Sequence, residues 1–161
     1  MVSGGELIDK EPPRHVIDLP EGSWGEGGYH TIWLNEGNHW TWEQLYPAQR
    51  RMRELAATCR EGTALELATQ AGRELLLAEA SDWQFLISTL AARDYAEIRF
   101  ADHIERFNRL ANLAEAALRG HTLNAEETAF FRDCKQKDAP FADLDISSWS
   151  KLEHPLPTQA S

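Results

Sequence analysis

Cysteine is scarce in this 161-residue chain, which carries only Cys59 and Cys134 and no CxxC pair. That excludes a disulfide framework or a zinc knuckle, and the expectation is two reduced, buried thiols. Positive charge is short as well: 16 Lys and Arg face 26 Asp and Glu, for a formal net charge of −10. Nucleic acid and anionic membrane surfaces both need a basic face, so neither is an expected partner; a neutral ligand is indifferent to the balance. No apolar run has the length that spans a bilayer. The opening residues also lack the apolar core of a signal peptide, which points to the cytoplasm.

Catalytic signatures are missing too. There is no HExxH among His15, His30, His39, His103, His121 and His154, and no GxSxG elbow. Glu79 and Asp82 lie one turn apart, whereas a glycosidase pair must flank the scissile bond roughly 5 Å or more apart. The residues therefore offer no self-sufficient catalytic set, no metal site and no cofactor site.

Aromatic residues and glycine are plentiful in one place. Four of six tryptophans fall between Trp24 and Trp42, within and beside Gly22-Ser23-Trp24-Gly25-Glu26-Gly27-Gly28. Glycines permit positive φ and close backbone approach, and indoles supply flat faces with one N–H each. A phosphate cradle would need a strand before this loop and a helix directly after it, and neither pattern is present. Two readings remain open. The tryptophans pack as core, or the loop forms one wall of a cleft, with Trp24 and Trp33 as stacking faces, Glu26 as an acceptor and His30 on the lining. Asp82, between an apolar helix and aromatic neighbours, is read either as an N-cap shared with Ser81 or, with Trp83, as a holder of substrate hydroxyls.

The remaining pattern is helical. Residues 1–21 read as an extended lead-in with a possible strand at His15–Leu19, and Tyr29–Leu34 as another short strand or hairpin arm. Thr41 and Gln44 fit a capping box opening a helix that Pro47 should bend or delay and that Gly62 ends. A nearly apolar helix over about Thr63–Ala80 is expected at the centre of a bundle. A long helix, Arg93–Arg119, carries Ile98, Ala101, Ile104, Phe107, Leu110 and Ala114 on its predicted buried side, with Gly120 as C-cap. Asn124 begins a last helix that brings Phe130 and Phe131 to the core. After Pro140 the chain is expected to be extended and pinned by Leu144, Ile146 and Trp149, with Pro155–Ser161 loose. The fold class is mainly α, a helical bundle with an irregular Gly-rich, aromatic N-terminal flank. Its parts are 1–21, the helical domain 22–139 and the tail 140–161.

Leu19-Pro20-Glu21-Gly22-Ser23-Trp24-Gly25-Glu26-Gly27-Gly28 and His30-Thr31-Ile32-Trp33-Leu34-Asn35 resemble the start of the C-terminal helical domain of family 57 glycoside hydrolases, of the 1,4-α-glucan branching enzyme type. Ala80-Ser81-Asp82-Trp83-Gln84-Phe85, Ala91-Ala92-Arg93-Asp94-Tyr95-Ala96 and Arg99-Phe100 through His103-Ile104-Glu105-Arg106-Phe107 extend the resemblance over roughly residues 12–120. It implies a transferase of glycogen-type carbohydrate metabolism, in which a (β/α) barrel carries a glutamate nucleophile and an aspartate acid/base. The helical domain closes over that barrel. Trp24 and Trp33 would then stack on glucose rings, with Asp82 and Trp83 reaching the cleft. The implied partners are an α-glucan and a barrel in cis or in trans. With no barrel before residue 1, the chain by itself is expected to be inactive: an excised domain, a truncated copy or half of a split enzyme. The alternative expectation is a non-catalytic module that docks onto a protein through the aromatic loop.

Overall fold

The computed structural model describes residues 2–151, with the side chains of Glu26 and Lys151 left aside. Six α-helices carry the fold, and no strand occurs among the described residues. The helices are α1 (Gly4–Lys10), α2 (His39–Thr58), α3 (Gly62–Ala78), α4 (Asp82–Thr89), α5 (Arg93–Leu118) and α6 (Ala125–Lys137). None is long and apolar enough to cross a membrane.

α3 and α5 form the centre. The buried residues of α3 include Ala64, Leu67, Ala68, Ala71, Gly72, Leu75 and Ala78, small enough over most of the stripe to let α5 lie close along it. α5 is 26 residues long, about 39 Å at 1.5 Å per residue. It sets Phe100, Phe107 and Leu110, all fully buried, against α3 and against the Leu45, Met52 and Leu55 stripe of α2. Burying each of the large side chains contributes on the order of 1.5–3 kcal/mol. Both cysteines are buried and free, as expected.

The helix ends show where local chemistry holds. Asn124 accepts from the Glu127 amide at 2.9 Å, and Glu127 returns the bond to the Asn124 amide at 2.8 Å, completing a capping box at α6. Gly120, at φ +89°, follows α5 in the left-handed region. Phe130 and Phe131 pack against the core while remaining partly exposed.

Several expectations are corrected. Residues 4–10 are helical, started by a Ser3–Glu6 capping box, although no residue of α1 is buried. His15–Leu19 is not a strand, since no neighbouring strand supplies a ladder. Tyr29–Leu34 is not one either: Gly27 and Gly28 take φ of +68° and +77°, which turns the chain into two 3₁₀ turns, Glu26–Gly28 and His30–Ile32. α2 starts at His39 rather than after Thr41, whose buried hydroxyl donates backward to the Asn38 carbonyl at 2.8 Å. Pro47 does not delay the helix, which runs through it; Pro47 and Glu43, whose carbonyl it leaves without an amide, are both exposed. α2 ends at Thr58 rather than at Gly62, which opens α3 instead.

On α5 the expected Ile104, Phe107, Leu110 and Ala114 are buried, but two of the expected positions are not. Ile98 is 60% exposed and Ala101 is exposed, while Ala96, Phe100 and His103 face inward. Finally, Ile146–Lys151 is a 3₁₀ helix against α2 rather than extended chain. Ile146, buried, and Leu144 and Trp149, partly buried, do pin it to the body. The expectation for Pro155–Ser161 lies outside the described residues.

Candidate functional site

The aromatic flank is shaped by its glycines. Ser23 donates its hydroxyl to the Tyr29 carbonyl, and its amide donates to the Gly28 carbonyl at 2.7 Å, closing a compact loop around Gly25. Gly25 is buried there, and a Cβ on it would lie 2.7 Å from the Tyr29 carbonyl oxygen. The closure lifts Trp24 outward, where it stands 81% exposed. The indole is nevertheless braced: its ring lies 6.4 Å from Trp33, at 68°, and 6.0 Å from Phe85 of α4, while Trp33 and Phe85 are 6.3 Å apart. These are ordinary edge and tilted aromatic spacings. The result is a three-ring platform built from the loop and one face of α4, wet on its outer side.

Trp33, half-buried, is fixed through the peptides on either side of it. Its own carbonyl accepts from Trp42 Nε1 of α2 at 2.8 Å. The preceding carbonyl, of Ile32, accepts from Ser88 Oγ of α4 at 2.5 Å and from Asn38 Nδ2 at 2.9 Å. Trp42 itself packs against the core, with its ring 5.7 Å from Tyr46.

The other expected site residues are placed differently. Asp82 is exposed in the first turn of α4, three residues before Phe85, and so on the platform's side of that helix. Ser81 occupies the cap position without making a side-chain cap bond. Trp83 is turned away from Trp24 and Trp33: its Nε1 donates to the Leu77 carbonyl at 2.7 Å, and its ring packs near Tyr95 and His103. His30 is exposed and 3.2 Å from Glu21. Glu26 lies in the first 3₁₀ turn. Phe85, Asn38 and Ser88 emerge only from the structure, because their partners are some fifty residues distant in sequence. The spacing of Phe85 one turn from Asp82 was the available signal.

Among the described residues, Glu74, His103 and Asp138 bring three donor atoms within 4.8 Å of one another. The set does not fit a metal, because its donors are already engaged. Glu74 Oε2 is 2.8 Å from His103 Nδ1, and Arg106 Nη1 is 2.5 Å from Asp138 Oδ2. Arg99 Nη2 lies 3.0 Å from His103 Nε2. A guanidinium can only donate, so Nε2 accepts and the ring proton sits on Nδ1, donated to Glu74. Gln70 completes the cluster by donating to the Asp138 carbonyl at 2.8 Å. Burial and the nearby Glu74 charge push the Cys134 thiol up to about 12. This is a closed structural network joining α3, α5 and the end of α6. On the surface side, burial raises the Glu79 carboxyl above the usual value, against the lowering effect of a 2.7 Å bond from Gln49.

This arrangement has close counterparts among known proteins. Residues 44–149 match the family model described as 1,4-alpha-glucan branching enzyme, C-terminal. The 1,4-alpha-glucan branching enzyme of Thermococcus kodakarensis is 39% identical over 138 residues, which make up 84% of this chain and 20% of that protein. The crystal structure of the GH57-type branching enzyme of Pyrococcus horikoshii superposes with a TM-score of 0.86 at 33% identity, over 98% of this chain and 30% of that one. The GH57 branching enzyme of Thermococcus kodakaraensis, in complex with glucose and additives, gives 0.85 at 33% identity, over 95% of this chain and 28% of that one. The chain thus spans between a fifth and a third of the length of these relatives. With its bundle and its aromatic flank both matched, it belongs to the C-terminal domain family of the GH57 1,4-alpha-glucan branching enzymes.

Proposed function

We propose that this chain is the glucan-contacting domain of a branching enzyme, a transferase of glycogen biosynthesis that cleaves an α-1,4 linkage and passes the released chain to a 6-hydroxyl. The catalytic glutamate and aspartate belong to a barrel outside this chain, and the domain contributes binding faces. One observation carries the reading: Trp24 is 81% exposed yet held against Trp33 and Phe85. A large indole kept rigid and wet has no core to stabilise, and the apolar face of a glucose ring is a fitting occupant. Asp82, one turn from Phe85, supplies a polar group at the margin, and His30, three residues before Trp33, is a further candidate. Two buried free thiols suit a reducing compartment, the cytoplasm.

Titration of the full chain with maltoheptaose, followed by tryptophan fluorescence, tests this. The expected result is a saturable change that Trp24→Ala abolishes while the melting midpoint stays put, since the side chain is largely exposed. Purified chain alone is expected to leave amylose unbranched. No response to maltoheptaose refutes the reading.

A second reading is favoured by a different surface. Val16, Ile17 and Leu19 are 101%, 72% and 82% exposed. Together with Trp24 they suit docking onto the catalytic part of the enzyme. Tight binding to a separately produced barrel, with no glucan response, selects it.

A further inference from the structure

We infer that Ser88 is a positioning residue for Trp33, acting through the backbone and never touching the sugar; this rests on the glucan-binding reading above. A serine hydroxyl offers one donor and two acceptor lone pairs, and Ser88 uses all three. It donates to the Ile32 carbonyl at 2.5 Å and accepts from Asn35 Nδ2 at 2.8 Å and from Asn38 Nδ2 at 3.0 Å. Asn38 is itself fully buried, and its Oδ1 accepts from the Asn35 amide at 2.9 Å. One hydroxyl on α4 therefore organises both asparagines of the turn that follows Trp33.

The consequence for Trp33 is geometric. Its two soft backbone angles are set by the peptide planes before and after it. The plane before is fixed by Ser88 from α4, and the plane after by Trp42 Nε1 from α2. Trp33 sits at φ −93° and ψ −15° between them. Ser88 also lies three residues from Phe85, on the same side of α4. The helix that supplies one ring of the platform thus sets the distance to another, and the 6.3 Å Trp33–Phe85 spacing is specified by hydrogen bonds as well as by ring contact. A binding face fixed in advance loses less freedom when ligand arrives.

The test measures maltoheptaose binding to the full chain by titration calorimetry, beside thermal melting, for the wild type, Ser88→Ala, Ser88→Thr and Trp42→Phe. Ser88→Ala should weaken binding about ten-fold, the scale of one buried hydrogen bond. Ser88→Thr keeps the hydroxyl and should restore affinity. Trp42→Phe keeps an aromatic ring but loses the second anchor and part of the indole's core packing, and should weaken binding in the same sense with a lowered midpoint. Wild-type affinity in Ser88→Ala overturns the inference and leaves the glucan reading standing. Failure of the wild type to bind removes the glucan reading, and this inference with it. Should Ser88→Ala melt below the titration temperature, Ser88→Cys, similar in size but only a weak donor and acceptor, takes its place: weakened binding supports the inference, and wild-type affinity overturns it.

Discussion

Replacing Glu74 with glutamine isolates one charge at constant volume. Glu74 has no exposed surface, accepts from His103 Nδ1 at 2.8 Å and from Gln70 Nε2 at 3.3 Å, and shares its pocket with the Arg99–Asp138–Arg106 group. With His103 carrying its proton on Nδ1, two carboxylates balance two guanidiniums. In Glu74→Gln the carbonyl still accepts from His103, but the new NH₂ meets the NH₂ of Gln70, and the hydrogen bonds lose their charge assistance. A buried hydrogen bond to a charged group contributes about 1.5–3 kcal/mol, so a loss of about 2 kcal/mol is expected. For a chain of this length that lowers the melting midpoint by roughly 4–8 °C. Glu66 of the same helix is the internal control: it pairs with Lys135 at 3.6 Å and is 62% exposed. Glu66→Gln should change stability by less than about 0.5 kcal/mol. Thermal melts and urea titrations of both variants check the contrast, with unchanged urea slopes as the sign of two-state unfolding. Equal midpoints for the two variants would refute the reasoning.

Gly25→Ala should dismantle the aromatic loop while leaving the bundle intact, because its Cβ meets a backbone oxygen at 2.7 Å; near-ultraviolet circular dichroism should change and the far-ultraviolet helix signal should not. The raised Glu79 pKa means its neutral form suits the fold, so its stabilising contribution is present below the ordinary value of 4.5 and is lost as pH climbs through the raised one. Glu79→Gln should accordingly match the wild type at acid pH and exceed its melting midpoint near neutrality. Cys59 and Cys134, both buried and raised, should resist a thiol reagent at mildly alkaline pH in the folded chain and react together once urea unfolds it.

What sequence reveals here follows the range of each interaction. α3, α5 and α6 are legible to within a few residues, since apolar spacing, the Asn124 box and Gly120 are local signals. The inward face of α5 is legible from Ile104 to Ala114 but misplaced at Ile98 and Ala101, and His103 escapes it because its reason for burial, Glu74, lies 29 residues away on another helix. Thr41 and Gln44 imitate a capping box, but Asn38 is already committed to the loop's carbonyls, and the helix begins beside it. For the candidate site, Trp24 and Trp33 are visible as an aromatic concentration in a Gly-rich loop. Phe85 and Ser88 complete it through contacts that no periodicity encodes. Trp83 shares a sequence stretch with Asp82, yet one residue is a rotation of about 100° around the helix, enough to turn its indole inward.

The ties from α4 to the loop join positions 50 to 56 residues apart. The aromatic segment leaves the ribosome before α4 and waits for it. Closing so long a span precedes any gain from it, so the platform assembles among the slow events of folding. A nascent chain halted before Ser81 lacks Phe85 and Ser88, and with them one ring of the platform and the hydroxyl that ties it down.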